Sequence, residues 1–307
     1  MRALYVPIYL HRVSQLLGFW VLAPFSLRQT FMDVEDAADL SMRLFFDDEV
    51  ETAEAFEDDS SMMRVLREEQ EEHHLRTTKS CFTIRQLPSE GLSFQLWPAA
   101  SALVSFLDDD AKVVVKGKRI LELGSGTGMV GVAAAMLGAH VTMTDLPHVL
   151  PNLSFNADAN QRAVEVTGRG GSLHVQPLTW GHDHDCHLLL QAGGGGGFDM
   201  VLGSDLVYHD HLFDPLLRTL QFFVKEEVQF VMAHLKRWKK EAAFFKKAKK
   251  LWDIDPLFTY PPLSSSSSSG SRTGVTIHRF TDARKKGRTA QQHQHNKPTT
   301  TISSTSP

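Results

Sequence analysis

Between residues 91 and 280 the chain alternates short apolar, β-rich runs with segments of helical periodicity. Strands are predicted at Arg119–Leu123, His140–Thr144, Leu173–Leu178, Asp199–Ser204 and Val228–Leu235, with a last one at Gly274–Phe280. Helical patterns fall at Pro98–Leu107, Gly128–Leu137, Pro151–Asn160, Pro215–Val224 and Arg237–Trp252. Val201-Leu-Gly-Ser204 and Phe230-Val-Met-Ala233 lack polar alternation, as strands covered on both faces do. Strand–helix alternation of this kind predicts an α/β fold, a mostly parallel sheet with helices on both faces. Local signals agree: Asp214-Pro215 reads as a helix cap followed by proline in the first turn, and Gly138 sits where a helix C-terminal glycine belongs.

Outside this region the pattern breaks down. Residues 1–31 carry three Arg, no acid and an apolar stretch from Leu16 to Phe25, and read as an uncertain extension or weak targeting segment. Met32 offers an alternative start. Residues 32–75 read as an acidic arm, disordered or helical toward Thr52–Leu75, because positions 33–72 hold sixteen Asp/Glu against three Arg. The folded domain is expected over 76–280 and a disordered polar tail over 281–307. Gly193–Gly197 and Ser264–Ser269 are low-complexity insertions.

Composition narrows the function classes. With 307 residues, 42% apolar and 22% charged, the chain can bury a core of ordinary size. No apolar run reaches the ~20 residues that span a bilayer, so no membrane association is expected. Two cysteines, Cys81 and Cys186, exclude a disulfide framework. A net charge of −4 argues against bulk electrostatic binding of nucleic acid. A cytoplasmic monomer, with the nucleus or an organelle left open, is the expectation.

The chemistry begins at Ile120-Leu-Glu-Leu-Gly-Ser-Gly-Thr-Gly128, a buried strand running into a glycine-rich turn and then a helix. Such a turn lets a ligand approach the backbone at a helix N-terminus. Asp145 ends the next strand 21 positions after Gly124, where a carboxylate can accept both hydroxyls of an adenosine ribose. Two cofactors fit that much. Gly126, Gly128 and Gly131 satisfy the dinucleotide spacing, but Glu122 would repel a pyrophosphate, whereas it would attract the amino group and sulfonium of S-adenosylmethionine. Trp97 and Trp180 read equally as core aromatics or as indoles stacked on an adenine.

Four blocks together resemble methyltransferase family 16, seven-strand S-adenosylmethionine-dependent protein-lysine methyltransferases of Rossmann-like class I fold. They are Leu96-Trp-Pro-Ala-Ala100; Leu121 to Gly131 with Leu137 to Asp145; Leu150-Pro-Asn-Leu153 with Asn156 and Asn160; and Gly203-Ser-Asp-Leu-Val-Tyr208 leading to Asp214-Pro-Leu-Leu217. The resemblance implies that Trp97, Gly124, Ser125, Gly126, Asp145, Trp180 and Ser204 line the cofactor. It also implies that Asp205 and Tyr208, a D-x-x-Y element, sit at the methyl-accepting site and that the partner is a protein substrate. The interruption at Ser264–Ser269 and the glycine run before Asp199 depart from the family pattern.

The acceptor amine must shed its proton before it can attack, and free lysine titrates near ~10.4. A carboxylate favours the charged amine, so Asp205 is assigned to orienting the lysine rather than to strong base catalysis. Tyr208 adds a hydroxyl and an aromatic wall. His182-Asp-His-Asp-Cys-His187 is too tightly spaced for a metal set and reads as a solvated loop, so no metal is expected. Lys236–Lys250, with eight Lys/Arg and one Glu, reads as an amphipathic helix with a basic side. Rival readings are an NAD(P)-dependent oxidoreductase, a small-molecule methyltransferase and a catalytically silent interaction module.

Overall fold

The structure is a computed structural model that describes residues 69–109, 112–192, 197–225, 227–261 and 274–283. The apolar stretch at Leu16–Phe25, the arm up to residue 68, most of the glycine run, Ser264–Ser269 and the tail from residue 284 lie outside the described residues. The chain divides into two compact units. One comprises residues 1–68 with Leu87–Leu92, and its described part is a 3-10 turn at Pro88–Glu90. The other comprises Glu69–Gln86 and Ser93–Pro307.

In chain order the elements of the second unit are β1 (Glu69–Leu75), β2 (Ser80–Gln86), α1 (Pro98–Leu107), β3 (Arg119–Leu123), α2 (Met129–Met136), β4 (His140–Asp145), α3 (Leu150–Val166) and β5 (Ser172–Pro177). There follow α4 (Asp183–Ala192), β6 (Met200–Ser204), α5 (Phe213–Phe223), β7 (Gln229–Leu235), α6 (Glu241–Ala248), β8 (Trp252–Thr259) and β9 (Val275–Asp282). Seven strands form one sheet in the order β5-β4-β3-β6-β7-β9-β8. The first five are parallel, and β9 runs antiparallel to both β7 and β8. The predicted α/β class, the parallel set and the covering helices are all present.

Side-chain alternation divides the core in two. Ile120, Met200, Leu202, Val231 and Ile277 face a cluster shared with α1, α2 and α3. Leu121, Leu123, Val201, Phe230, Met232 and Phe280 face a second cluster shared with α4, α5 and α6. The central strands thus bury consecutive residues against opposite layers, which is why β6 and β7 carry no polar alternation.

Several expectations need correction. Glu69–Leu75, placed at the end of the acidic arm and expected to be helical or disordered, is a strand paired along its whole length with β2. The run His182–His187 is largely helical, in α4, and no loop: Arg218 ion-pairs with Asp183 at 2.7 Å, the Thr179 N–H donates to Asp185, and Cys186 is buried in the second cluster. The last helix is shorter than Arg237–Trp252, because Trp252 opens β8 and buries its indole, donating Nε1–H to Val224 O at 3.2 Å. Asp214 does not cap α5, which starts one residue earlier with no side-chain cap; its carboxylate accepts from Lys247 at 2.7 Å instead. The final strand reaches Asp282, beyond the boundary expected for the tail.

The hairpin β1–β2 is tied to the domain by a ladder of asparagines. Asn152, Asn156 and Asn160, four residues apart, lie on one buried face of α3. Asn160 accepts from Thr83 N–H at 3.0 Å and donates to Thr83 O at 2.8 Å. Asn156 accepts from Arg85 N–H at 2.9 Å and donates to Arg85 O at 3.0 Å and to Thr127 O at 2.9 Å. The ladder therefore does for the outer edge of β2 what another strand would do, and it reaches the turn after β3. Asn156→Ala would leave Arg85 N–H and Thr127 O without this partner, each costing about 1–3 kcal/mol when buried, and Arg85 O with the longer bond from Asn152 at 3.4 Å. We expect a loss of about 2–4 kcal/mol and a melting temperature lower by roughly 5–15 °C. An unchanged melting curve would show that water replaces the amide.

Candidate active site

The chain leaves β3 for β4 on one side and returns through β6 on the other, so the topological switch point lies between β3 and β6. Ligands bind outside the carboxyl ends of strands at such a crevice. Gly124 follows β3, Asp145 ends β4, Trp180 follows β5, and Ser204 and Asp205 mark the end of β6. Residues far apart in sequence thus converge on the carboxyl edge of the sheet.

The turn after β3 is stitched to β4. Ser125 N–H donates to Thr144 O at 2.9 Å, Thr144 N–H donates to Ser125 Oγ at 3.1 Å, and Gly126 N–H donates to Asp145 Oδ2 at 2.8 Å. Gly124 and Gly126 adopt φ of +57° and +54°, a left-handed backbone that suits glycine. A Cβ on Gly124 would lie 2.8 Å from Leu206 Cδ2 and 3.1 Å from Trp180 Cζ2, so the indole covers the turn closely. Asp145 Oδ1 accepts from its neighbour Leu146 N–H at 2.7 Å. Burial pushes the Asp145 carboxyl above the usual range, against the pull of these two N–H groups.

Glu122 lies beneath the turn and is 1% exposed. It hydrogen-bonds the Ser125 hydroxyl and the Gly131 N–H, and Oε2 has no hydrogen-bond partner among the described residues. A Cβ on Gly131 would come within 2.6 Å of that oxygen, so only glycine lets α2 settle here. Burial, with help from the Asp145 carboxylate, pushes Glu122 up to about 8. Burial thus favours the protonated carboxyl, whereas a cation brought beside it would favour the charged form. Ser125 likewise is buried, its hydroxyl taken up by Thr144 and Glu122.

Asp205 stands at φ +53°, a left-handed conformation that Asp tolerates better than most residues. Its backbone N–H donates to Ala233 O at 3.0 Å. Its carboxylate is 6% exposed, accepting from Leu235 N–H at 3.1 Å on Oδ1 and from Arg237 Nη2 at 2.9 Å on Oδ2. Arg237 was read in the sequence only as part of a basic helix; it precedes α6 and points inward. Nothing in the sequence pattern marks this pairing, which depends on β6 and β7 being neighbours. Arg237 also lies 5.7 Å from the Trp97 ring centroid, so the aromatic before α1 and the D-x-x-Y element share one cation. Trp97, Trp180, Ser204 and Tyr208 are half-buried. Burial, reinforced by Asp145, pushes the Tyr208 phenol up to about 12.

This donor set suits an adenosine-containing cofactor. Each Asp145 oxygen keeps a lone pair beyond the N–H it accepts, and an indole edges the turn that the missing Cβ of Gly124 keeps open. A hollow of about 570 Å³ elsewhere, lined by Asp214, Arg218, Lys247 and Leu251 between α5 and α6, contains none of these residues.

A carboxyl that keeps its proton only when folded makes stability fall as pH rises, because the unfolded chain releases that proton first. For Glu122 the loss runs from the ordinary value of 4.5 to about 8. The melting temperature of Glu122→Gln should therefore gain on that of the wild type as pH rises through this window, with the difference level above it. Parallel melting curves at all pH values would rule out the buried carboxyl as the source.

The comparisons with known proteins agree with the site. The protein N-lysine methyltransferase METTL21A of Danio rerio is 35% identical over 164 residues, covering 53% of this chain and 70% of that protein. The protein-lysine methyltransferase METTL21E of Bos taurus is 32% identical over 170 residues, 55% of this chain and 56% of its own. The EEF1A lysine methyltransferase 3 of Xenopus tropicalis is 36% identical over 132 residues, 43% of this chain and 53% of its own. The chain thus spans from about half to 70% of these relatives. The family model described as lysine methyltransferase matches residues 77–251, from the β1–β2 turn to the end of α6 and over every candidate site residue. This chain belongs to the lysine methyltransferase family.

Proposed function

We propose that this protein transfers a methyl group from S-adenosylmethionine to a lysine side chain of a protein substrate, in the cytoplasm. The observation that carries the reading is the meeting of a glycine turn, a ribose-type carboxylate and the Asp205–Tyr208 element at one switch point, in a member of the lysine methyltransferase family. The names of its relatives support a protein acceptor. Among the described residues no helix is long and apolar enough to cross a membrane.

When bound, the cofactor supplies a methyl group on a positively charged sulfur. The chain's part is alignment and exclusion of water, since an in-line displacement asks for little else. Asp145 accepts the ribose hydroxyls, Trp180 and Trp97 offer flat faces to the base or the sulfonium side, and Gly124, Gly126 and Ser204 keep the floor low. Glu122 and Ser125 act from below by holding the turn to α2 and β4. Asp205 receives an N–H of the acceptor, and Tyr208, un-ionised at any working pH, closes the wall beside it.

Trp180→Ala should weaken S-adenosylhomocysteine binding about fivefold in calorimetry, the ~1 kcal/mol of an aromatic contact. Unchanged affinity would place the base elsewhere. Methyl labelling of lysate with mapping of the modified residue tests the activity itself. Asp205→Asn keeps the left-handed backbone and the acceptor oxygen for Leu235 but loses the charge. We expect labelling of a lysine by wild type and a rate lower by roughly a hundredfold in the variant, the scale of a lost alignment. Methyl groups found only on small molecules, or none with folded protein that binds the cofactor, would sink the reading.

A further inference from the structure

Resting on that reading, a conflict within the site points to one more residue. The acceptor lysine must lose its proton to become a nucleophile, yet a bare carboxylate beside it would stabilise the ammonium. Asp205 is not bare. Arg237 Nη2 sits 2.9 Å from Oδ2, and the two side chains are 11% and 6% exposed. The guanidinium is itself held on several sides: Nη1 donates to Leu235 O at 3.2 Å, and the Trp97 ring lies 5.7 Å away. Its backbone is fixed as well, since Arg237 N–H and Trp238 N–H both donate to the Glu241 carboxylate at 3.2 Å. Glu241 is 1% exposed and is bonded in turn to buried His234 at 3.1 Å. Arg237 is thus built into the site as firmly as Asp205 is.

We propose that Arg237 is a positioning residue for methyl transfer: it stays paired with Asp205 and cancels the carboxylate's charge, so that the acceptor nitrogen enters as the free amine. Asp205 then orients an uncharged N–H with the lone pairs that Leu235 and Arg237 leave over. The acceptor's proton goes to solvent before transfer. The amine lone pair forms the new N–C bond as the C–S bond breaks, and the electrons of the C–S bond stay on sulfur as a lone pair. Without the guanidinium the same carboxylate would hold the lysine as its ammonium, and the reaction would need a higher pH.

Other titratable groups lie on the elements that neighbour the pair. They are Tyr208 and His209 after β6, His234 on β7, Lys236, Lys239, Lys240 and Glu241 before and on α6, His278 on β9, and Glu122 and Asp145 around the turn. All are common to wild type and variants, so a difference between profiles isolates Arg237.

The test is the initial rate of methyl labelling, from about pH 6 to about pH 10, with saturating labelled S-adenosylmethionine. The acceptor source is lysate of cells from which this protein has been deleted. Wild type, Arg237→Gln and Arg237→Lys are compared, and S-adenosylhomocysteine calorimetry reports that each is folded; Arg237→Met replaces the Gln variant if that one does not bind. Arg237→Gln should move the acidic limb upward by about one pH unit or more, lowering the rate near neutrality about tenfold beyond any loss at high pH. Arg237→Lys should return the limb toward its wild-type position. Profiles that superimpose after scaling, or a Lys variant that matches Gln, would overturn the role given to Arg237 and leave lysine methylation standing. Wild-type protein that labels no lysine would overturn both.

Discussion

The closure of the 124–128 turn onto the end of β4 is the constraint on which the rest depends. A parallel sheet leaves the carboxyl ends of its strands without partners, and here those ends are fastened to one another. The bonds Ser125–Thr144 and Gly126–Asp145 set the turn, the turn sets the start of α2, and Thr127 O beneath Asn156 ties both to α3 and the hairpin. One carboxylate and one hydroxyl therefore govern the shape of the floor. Because Asp145 satisfies two backbone N–H groups and each oxygen keeps a lone pair, the group that builds the floor is also able to accept from a ligand.

Their partners are what differentiate the two buried acids of the site. Among the described residues Glu122 has no ion-pair partner, and burial pushes its carboxyl upward. Asp205 is almost as buried but lies against a guanidinium and an N–H. The first braces the turn from below; the second is fixed between a guanidinium and a strand N–H. A charge count over the residues of the site would have treated them alike.

Much of this was legible in the sequence, for identifiable reasons. The central strands β3, β6 and β7 are buried on both faces, and glycine turn, Asp145 and Trp180 follow the spacing that the strand–turn–helix unit imposes. The four blocks of family resemblance carried the acceptor motif. What escaped was pairing between distant segments. Glu69-Gln-Glu-Glu-His-His-Leu75 has the composition of a solvated arm and becomes a strand only because β2 offers it an edge. β8 contains Asp253, Asp255 and Pro256 and is tolerated at the sheet's rim, where proline deprives no ladder on the outer side. Trp252 fits a helical spacing equally well until its indole finds Val224 O. Arg237 is one cation among eight in the sequence, and its partner Asp205 lies 32 positions away.

The order of the last two strands bears on how the protein is made. β9 lies between β7 and β8, so β8 leaves the ribosome with no edge to join and waits for the strand that follows it. Until Val275–Asp282 arrives, the outer edge of β7, including Leu235 opposite Val275, has no ladder partner on that side. Leu235 is also the residue whose N–H and carbonyl hold Asp205 and Arg237. During synthesis the glycine turn and its carboxylate can form from contiguous βαβ units, whereas the outer edge of β7 waits for β9, the last of the seven strands in chain order. Leu235, and with it the Asp205–Arg237 pair, is therefore the later of the two sides to gain its full surroundings.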